Sequence, residues 1–190
     1  MMRLFCAVKV PLNESVEEAF DVFTSELSSE AINWVNMHQL HITLKFFGDV
    51  PAREVNNLVD ALHLAASDFP PFSFMLEGCG TFGSYRQPRV IWLGIKKGRP
   101  LILLNEKIQH HLSPLGYKPE QRLFSPHLTI GRIKQLKEHL TLNNLESEFK
   151  ESPFGTVSVT EFYLFRSLLT PRGPQYSVIH TFVLGDGRRA

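Results

Sequence analysis

Two short stretches decide how this chain folds. The first is His41-Ile42-Thr43-Leu44-Lys45-Phe46-Phe47-Gly48, and the second is Phe124-Ser125-Pro126-His127-Leu128-Thr129-Ile130-Gly131-Arg132. Both contain His-x-Thr-aliphatic, and their histidines stand 86 residues apart, at 41 and 127. With 8 His and 9 Thr in 190 residues, chance supplies about 0.1 copies of this pattern per chain. Each stretch alternates polar and apolar residues, which is the period of a strand. His41 and Thr43 therefore share one face, opposite Ile42 and Leu44. His127 and Thr129 share a face opposite Leu128 and Ile130.

Outward from these stretches the same offset recurs. The patterning predicts a strand over 4–10, a helix over 13–27, a strand over 39–47, a helix over 51–66 and a strand opening at 72–76. It then predicts a strand over 90–95, a helix over 100–112, a strand over 126–133, a weaker helix over 136–149 and strands over 157–165 and 176–184. Asn13 or Ser15 suits the first helix cap, and Val16, Phe20, Phe23 and Leu27 recur at helical spacing. The first half laid 86 residues along falls on the second. A strand–helix–strand–helix–strand unit thus occurs twice, joined over 80–88. The expectation is one domain over 1–190, with two lobes built from units of about 1–80 and 89–190. The aliphatic face of each His-Thr strand packs on helices. Its polar face opens on a groove, and a pseudo-twofold brings both His-Thr pairs into one central cleft.

Composition bounds the rest. The 190 residues, 43% hydrophobic with 15 Phe, can bury roughly 70% of their unfolded surface. The net charge of +1 excludes a polycation. The halves differ, though: 1–95 hold 6 Lys/Arg against 11 Asp/Glu, and 96–190 hold 14 against 8, an asymmetry that can mark a nucleic-acid face. Cys6 and Cys79 form no metal-ligand spacing and read as reduced thiols of a cytoplasmic protein. The apolar run at the N-terminus stops at Lys9, too short for a signal peptide, and no run approaches the ~20 residues that span a bilayer.

Paired histidines and hydroxyls across a cleft suit phosphodiester cleavage. One imidazole deprotonates the nucleophile and the other protonates the leaving oxygen, both near neutral pH. Threonine hydroxyls can hold the non-bridging oxygens. A zinc reading, with His41 and His127 as two ligands, lacks a third and fourth. His38, His63, His110, His111, His139 and His180 read as surface or incidental. Nothing local says which of His41 and His127 is acid and which is base.

These stretches, with Met2-Arg3-Leu4-Phe5, Arg89-Val90-Ile91-Trp92, Phe162-Tyr163-Leu164-Phe165-Arg166-Ser167 and Gly173-Pro174-Gln175-Tyr176, resemble the two-histidine phosphoesterase superfamily, and within it the RNA 2′,3′-cyclic phosphodiesterases, also called 2′-5′ RNA ligases. The resemblance implies an α+β bilobal fold, each lobe an antiparallel sheet with helices on its outer face. It implies hydrolysis of a terminal RNA 2′,3′-cyclic phosphate to a 2′-phosphate, with no metal and no cofactor. His41 is then the proton donor, His127 the proton acceptor, and Thr43, Thr129 and Arg132 bind the phosphate. Strict alternation places Arg132 with Leu128 and Ile130, so it reaches the cleft only if the strand ends or bulges at Gly131. Phe5, Phe47 and Tyr163 could stack on a base but read as core. The expected partners are RNA ends carrying the cyclic phosphate, tRNA fragments among them, or nucleoside 2′,3′-cyclic phosphates. No membrane partner is expected, and the protein should act as a monomer. Other readings are 2′-5′ ligation, cleavage of a small cyclic nucleotide, and a non-catalytic module that grips RNA ends.

Overall fold

The computed structural model describes residues 1–118, 122–170 and 173–185. The strands are β1 (Met2–Lys9), β2 (Ala31–Trp34), β3 (His41–Val50), β4 (Phe72–Ser84), β5 (Gln87–Lys96), β6 (Leu128–Gln135), β7 (Pro153–Val159), β8 (Glu161–Thr170) and β9 (Gly173–Val183). The helices are α1 (Glu14–Glu26), α2 (Val55–Ser67), α3 (Arg99–Leu112) and α4 (His139–Glu148). The fold is α+β, with two sheets of antiparallel pairs: β3-β1-β8-β9 and β2-β6-β5-β4-β7.

Local chemistry accounts for the helices. Asn13 caps α1, its Oδ1 accepting from the Val16 N–H at 2.9 Å, while its Nδ2 donates to the Phe154 carbonyl of β7 at 2.9 Å. One residue thus starts the helix and fastens it to a sheet. The apolar stripes of α1 (Val16, Ala19, Phe23), α2 (Leu58, Leu62, Ala65) and α3 (Leu101, Leu104, Ile108) are buried in one core. That core also takes Leu4 and Ile42 from the first sheet and Ile91 and Leu128 from the second.

The topology corrects several expectations. Under the 86-residue shift, β1, α1, β3, α2 and β4 fall on β5, α3, β6, α4 and β8. The units near 1–80 and 89–190 are nonetheless not two separate sheets. The last strand of each crosses over: β4 pairs with β5, and β8 pairs with β1. The expected join over 80–88 is the turn of the β4–β5 hairpin, with Ser84 opposite Gln87. The single strand expected over 157–165 is two strands broken at Thr160. The four-residue β2 was not expected at all, since Ala31-Ile32-Asn33-Trp34 is too short for a period to show. Finally, β6 begins at Leu128, not at 126, where Pro126 has no N–H to give a ladder. No helix among the described residues is long and apolar enough to cross a membrane.

Candidate active site

His41 opens β3, and His127 immediately precedes β6. Their local geometry is the same. The His41 Nδ1 lies 2.7 Å from the Gln39 carbonyl, and the His127 Nδ1 lies 2.8 Å from the Ser125 carbonyl. A carbonyl can only accept, so each Nδ1 carries the hydrogen and each Nε2 is left as the basic nitrogen. Both imidazoles, Thr43, Thr129 and Arg132 line one cavity of about 1040 Å³. The structure thus brings together all five side chains that the sequence singled out.

Arg132 arrives there through a bulge. On β5, Ile91 faces Gly131 and Trp92 faces Thr129, so Ile130 has no partner on that side. The extra residue resets the alternation. Leu128, Ile130, Gly131 and Ile133 are buried, while Arg132 is exposed on the face of Thr129. Glycine at 131 is required, because a Cβ there would lie 2.9 Å from the Trp34 ring. The Ile130 carbonyl accepts from the Val35 N–H at 3.0 Å. The same slip occurs on β3. Cys6 faces Lys45 and Ala7 faces Thr43, so Leu44 is the unpaired residue. Its carbonyl accepts from the buried Asn105 Nδ2 of α3 at 2.7 Å. Past the slip the two strands carry different side chains: Lys45 and Phe46 stand where the second strand has Gly131 and Arg132.

Each imidazole sits in aromatic surroundings. His41 packs against Phe5 (5.2 Å between centroids) and the edge of Tyr176 (5.3 Å), and His127 against the edge of Phe82 (4.7 Å). Burial pushes both imidazoles below their ordinary value. The Gln39 and Ser125 carbonyls oppose this, and the Arg132 guanidinium adds to it at both. One cation therefore feels both rings. His41 is the more deeply enclosed of the two.

Of the aromatic residues weighed from sequence, Phe5 is buried, Phe47 packs on Tyr117, and Tyr163 carries Lys9 Nζ over its ring at 3.9 Å. Phe46, which the sequence did not single out, is 56% exposed. Nothing separates it from the other 14 Phe until the bulge is known. The remaining histidines do not line the cavity; His63 and His180 bond to each other, Nε2 to Nε2 at 2.8 Å. Among the described residues, no cluster of three or more His, Cys, Asp or Glu could hold a metal ion. Neither Cys6 nor Cys79 is in a disulfide, and burial pushes the Cys79 thiol up to about 12.

Known proteins resemble this chain along nearly its whole length. A model of the 2′-5′ RNA ligase superfamily matches residues 14–170. The RNA 2′,3′-cyclic phosphodiesterase of Methanocaldococcus jannaschii is 36% identical over 94% of this chain and 98% of that relative. The protein of the same name from Thermotoga maritima is 33% identical over 94% of both chains. Among solved structures, TT0787 of Thermus thermophilus superposes with a TM-score of 0.79 at 29% identity, covering 99% of this chain and all of that one. LigT of E. coli, solved in complex with phosphate, gives a TM-score of 0.65 at 25% identity, covering 96% and 97%. This chain belongs to the 2′-5′ RNA ligase superfamily.

Proposed function

We propose that this chain hydrolyses the terminal 2′,3′-cyclic phosphate of RNA to a 2′-phosphomonoester by acid–base catalysis between His41 and His127. The coarser statement, an enzyme of the cyclic phosphodiesterase and 2′-5′ RNA ligase type, rests on the family and on relatives similar along nearly the whole chain. The finer one rests chiefly on one observation. Two imidazoles from different sheets are tethered identically through Nδ1, and both line a cavity that also holds one arginine and two threonines.

In the reaction, water attacks phosphorus and gives its proton to His127 Nε2. The P–O3′ bond breaks, and His41 delivers a proton to O3′. One P–O bond forms, one breaks, and proton exchange with solvent restores the two rings. The more open ring, His127, suits the base that meets water, and the acid role of His41 follows from the family resemblance. Thr43 and Thr129 donate to the non-bridging oxygens, and Arg132 offsets their charge. Each histidine contributes on the order of 10²–10⁴ in rate. One chain supplies both rings, so the unit of function is a single domain and a monomer suffices. No step uses a metal.

Incubation with adenosine 2′,3′-cyclic phosphate tests the proposal. Adenosine 2′-monophosphate should appear, at a rate unchanged by EDTA. No product, or the 3′-monophosphate alone, would refute it.

A further inference from the structure

The cavity is larger than the chemistry needs, and its unused end is cationic. At about 1040 Å³ it lies at the top of the roughly 300–1,000 Å³ that pockets for single small molecules span. The reacting group occupies only the part around His41, His127 and the threonines. Beyond Arg132 the wall continues along β6 to Lys134, which also lines the cavity. The bulge at Ile130 is what makes this possible. It turns both Arg132 and Lys134 outward, with Ile133 buried between them. Two residues along a strand advance about 6.6 Å. That is close to the separation of neighbouring phosphates on one nucleic-acid strand. Neither cation forms an ion pair among the described residues. Asn33, the partner of Arg132 on β2, adds an amide to the same wall.

We infer that Lys134 is a binding site for a second phosphate, the one on the 5′ side of the nucleoside whose 2′,3′-phosphate lies at Arg132. This rests on the catalytic function proposed for the cavity and narrows its substrate. The preferred ligand is then the end of an RNA strand, and a cyclic mononucleotide with a free 5′-hydroxyl leaves Lys134 unused. The recognition is of phosphate charge alone and carries no base preference.

Paired substrates isolate the second phosphate. Adenosine 2′,3′-cyclic phosphate and its 5′-phosphorylated form differ in that group only. The 5′-phosphorylated form should show a kcat/KM about tenfold higher, the size of one charge-assisted contact. Lys134→Ala should remove that advantage while leaving the rate on the unphosphorylated substrate within about twofold. It should also lower by about one the slope of log kcat/KM against log salt for the phosphorylated form. Lys9→Ala, which removes a cation outside the cavity, should leave the advantage in place. Equal rates on the two substrates with the wild-type protein, or an equal loss on both with Lys134→Ala, overturns the inference. Should neither substrate be hydrolysed, the catalytic reading fails, and Lys134 is judged by binding. Adenosine 3′,5′-bisphosphate should then bind about tenfold tighter than adenosine 3′-monophosphate, in a manner abolished by Lys134→Ala. Equal affinities would reject the site.

Discussion

The strands β3 and β6 run the same backbone and end in different chemistry. A histidine opens β3 and another immediately precedes β6, each with its Nδ1 tied to the carbonyl two residues back. Each alternates through a threonine and then slips by one residue, at Leu44 and at Ile130. Up to that slip the strands supply the matched halves of the proposed acid–base pair. After it they part: β6 presents Arg132 to the cavity, and β3 presents an exposed Phe46. The slips are also secured differently. The Asn105 side chain satisfies the Leu44 carbonyl, while a backbone N–H from Val35 satisfies that of Ile130. The repeated pattern thus sets two histidines in matched backbone geometry. The residues just past each bulge give the two different neighbours.

The matched part of the comparison yields the largest expected effect. His41→Ala and His127→Ala should each lower kcat/KM on adenosine 2′,3′-cyclic phosphate by about 10²–10⁴, with the fold retained by circular dichroism. A tenfold loss in one and none in the other would show that a single ring suffices. The unmatched part comes next. Arg132→Ala should cost about 10–100-fold, the weight of a charge-assisted contact to phosphate. It should also move the pH profile. Arg132 holds both imidazoles down, so its removal raises both. The limb that rises as the base loses its proton and the limb that falls as the acid loses its own should both shift to higher pH. A profile that stays put would mean the guanidinium does not act on the rings.

Gly131→Ala should fall partway toward the Arg132→Ala level. Its Cβ would meet the Trp34 ring at 2.9 Å, and overpacking of this kind costs about 1–3 kcal/mol. Trp34→Leu in the Gly131→Ala background should restore activity if the clash is what displaces Arg132. On β3 the comparable support is Asn105. Asn105→Leu leaves the Leu44 carbonyl without its donor and should cost about 1–3 kcal/mol, read as a lower midpoint in urea. The β6 slip needs no such side chain, so it has no equivalent of that variant.

What the sequence revealed divides along the same line. Helices and the two His-Thr strands were legible because their apolar periods are long and a capping Asn13 stands where it should. The two histidines and two threonines were legible because a pattern repeated at one spacing outweighs chance. Arg132 was legible only as a condition, since alternation denied it the cavity and glycine allowed a bulge without requiring one. Three things lay beyond reach. The crossing of β4 and β8 depends on pairing between distant segments. β2 spans four residues and is held by its neighbour β6, not by its own pattern. Phe46 could not be told from the other phenylalanines, because the face it occupies depends on a slip that no local residue announces.

The smallest effect belongs to that phenylalanine, and it sharpens the comparison most cleanly. Phe46 occupies on β3 the place Arg132 holds on β6, its ring 5.5 Å from Phe5. It carries no charge, so Phe46→Ala should leave both limbs of the pH profile where they are, in contrast to Arg132→Ala. Because the side chain is 56% exposed, its truncation removes little buried area and should cost less than about 1 kcal/mol of stability. The two variants measured side by side in one pH series test whether the positions past the bulges are chemically distinct. If Phe46→Ala shifts the profile as far as Arg132→Ala does, the shift reports loosening of the bulges in general. The asymmetry between the two strands would then lie elsewhere.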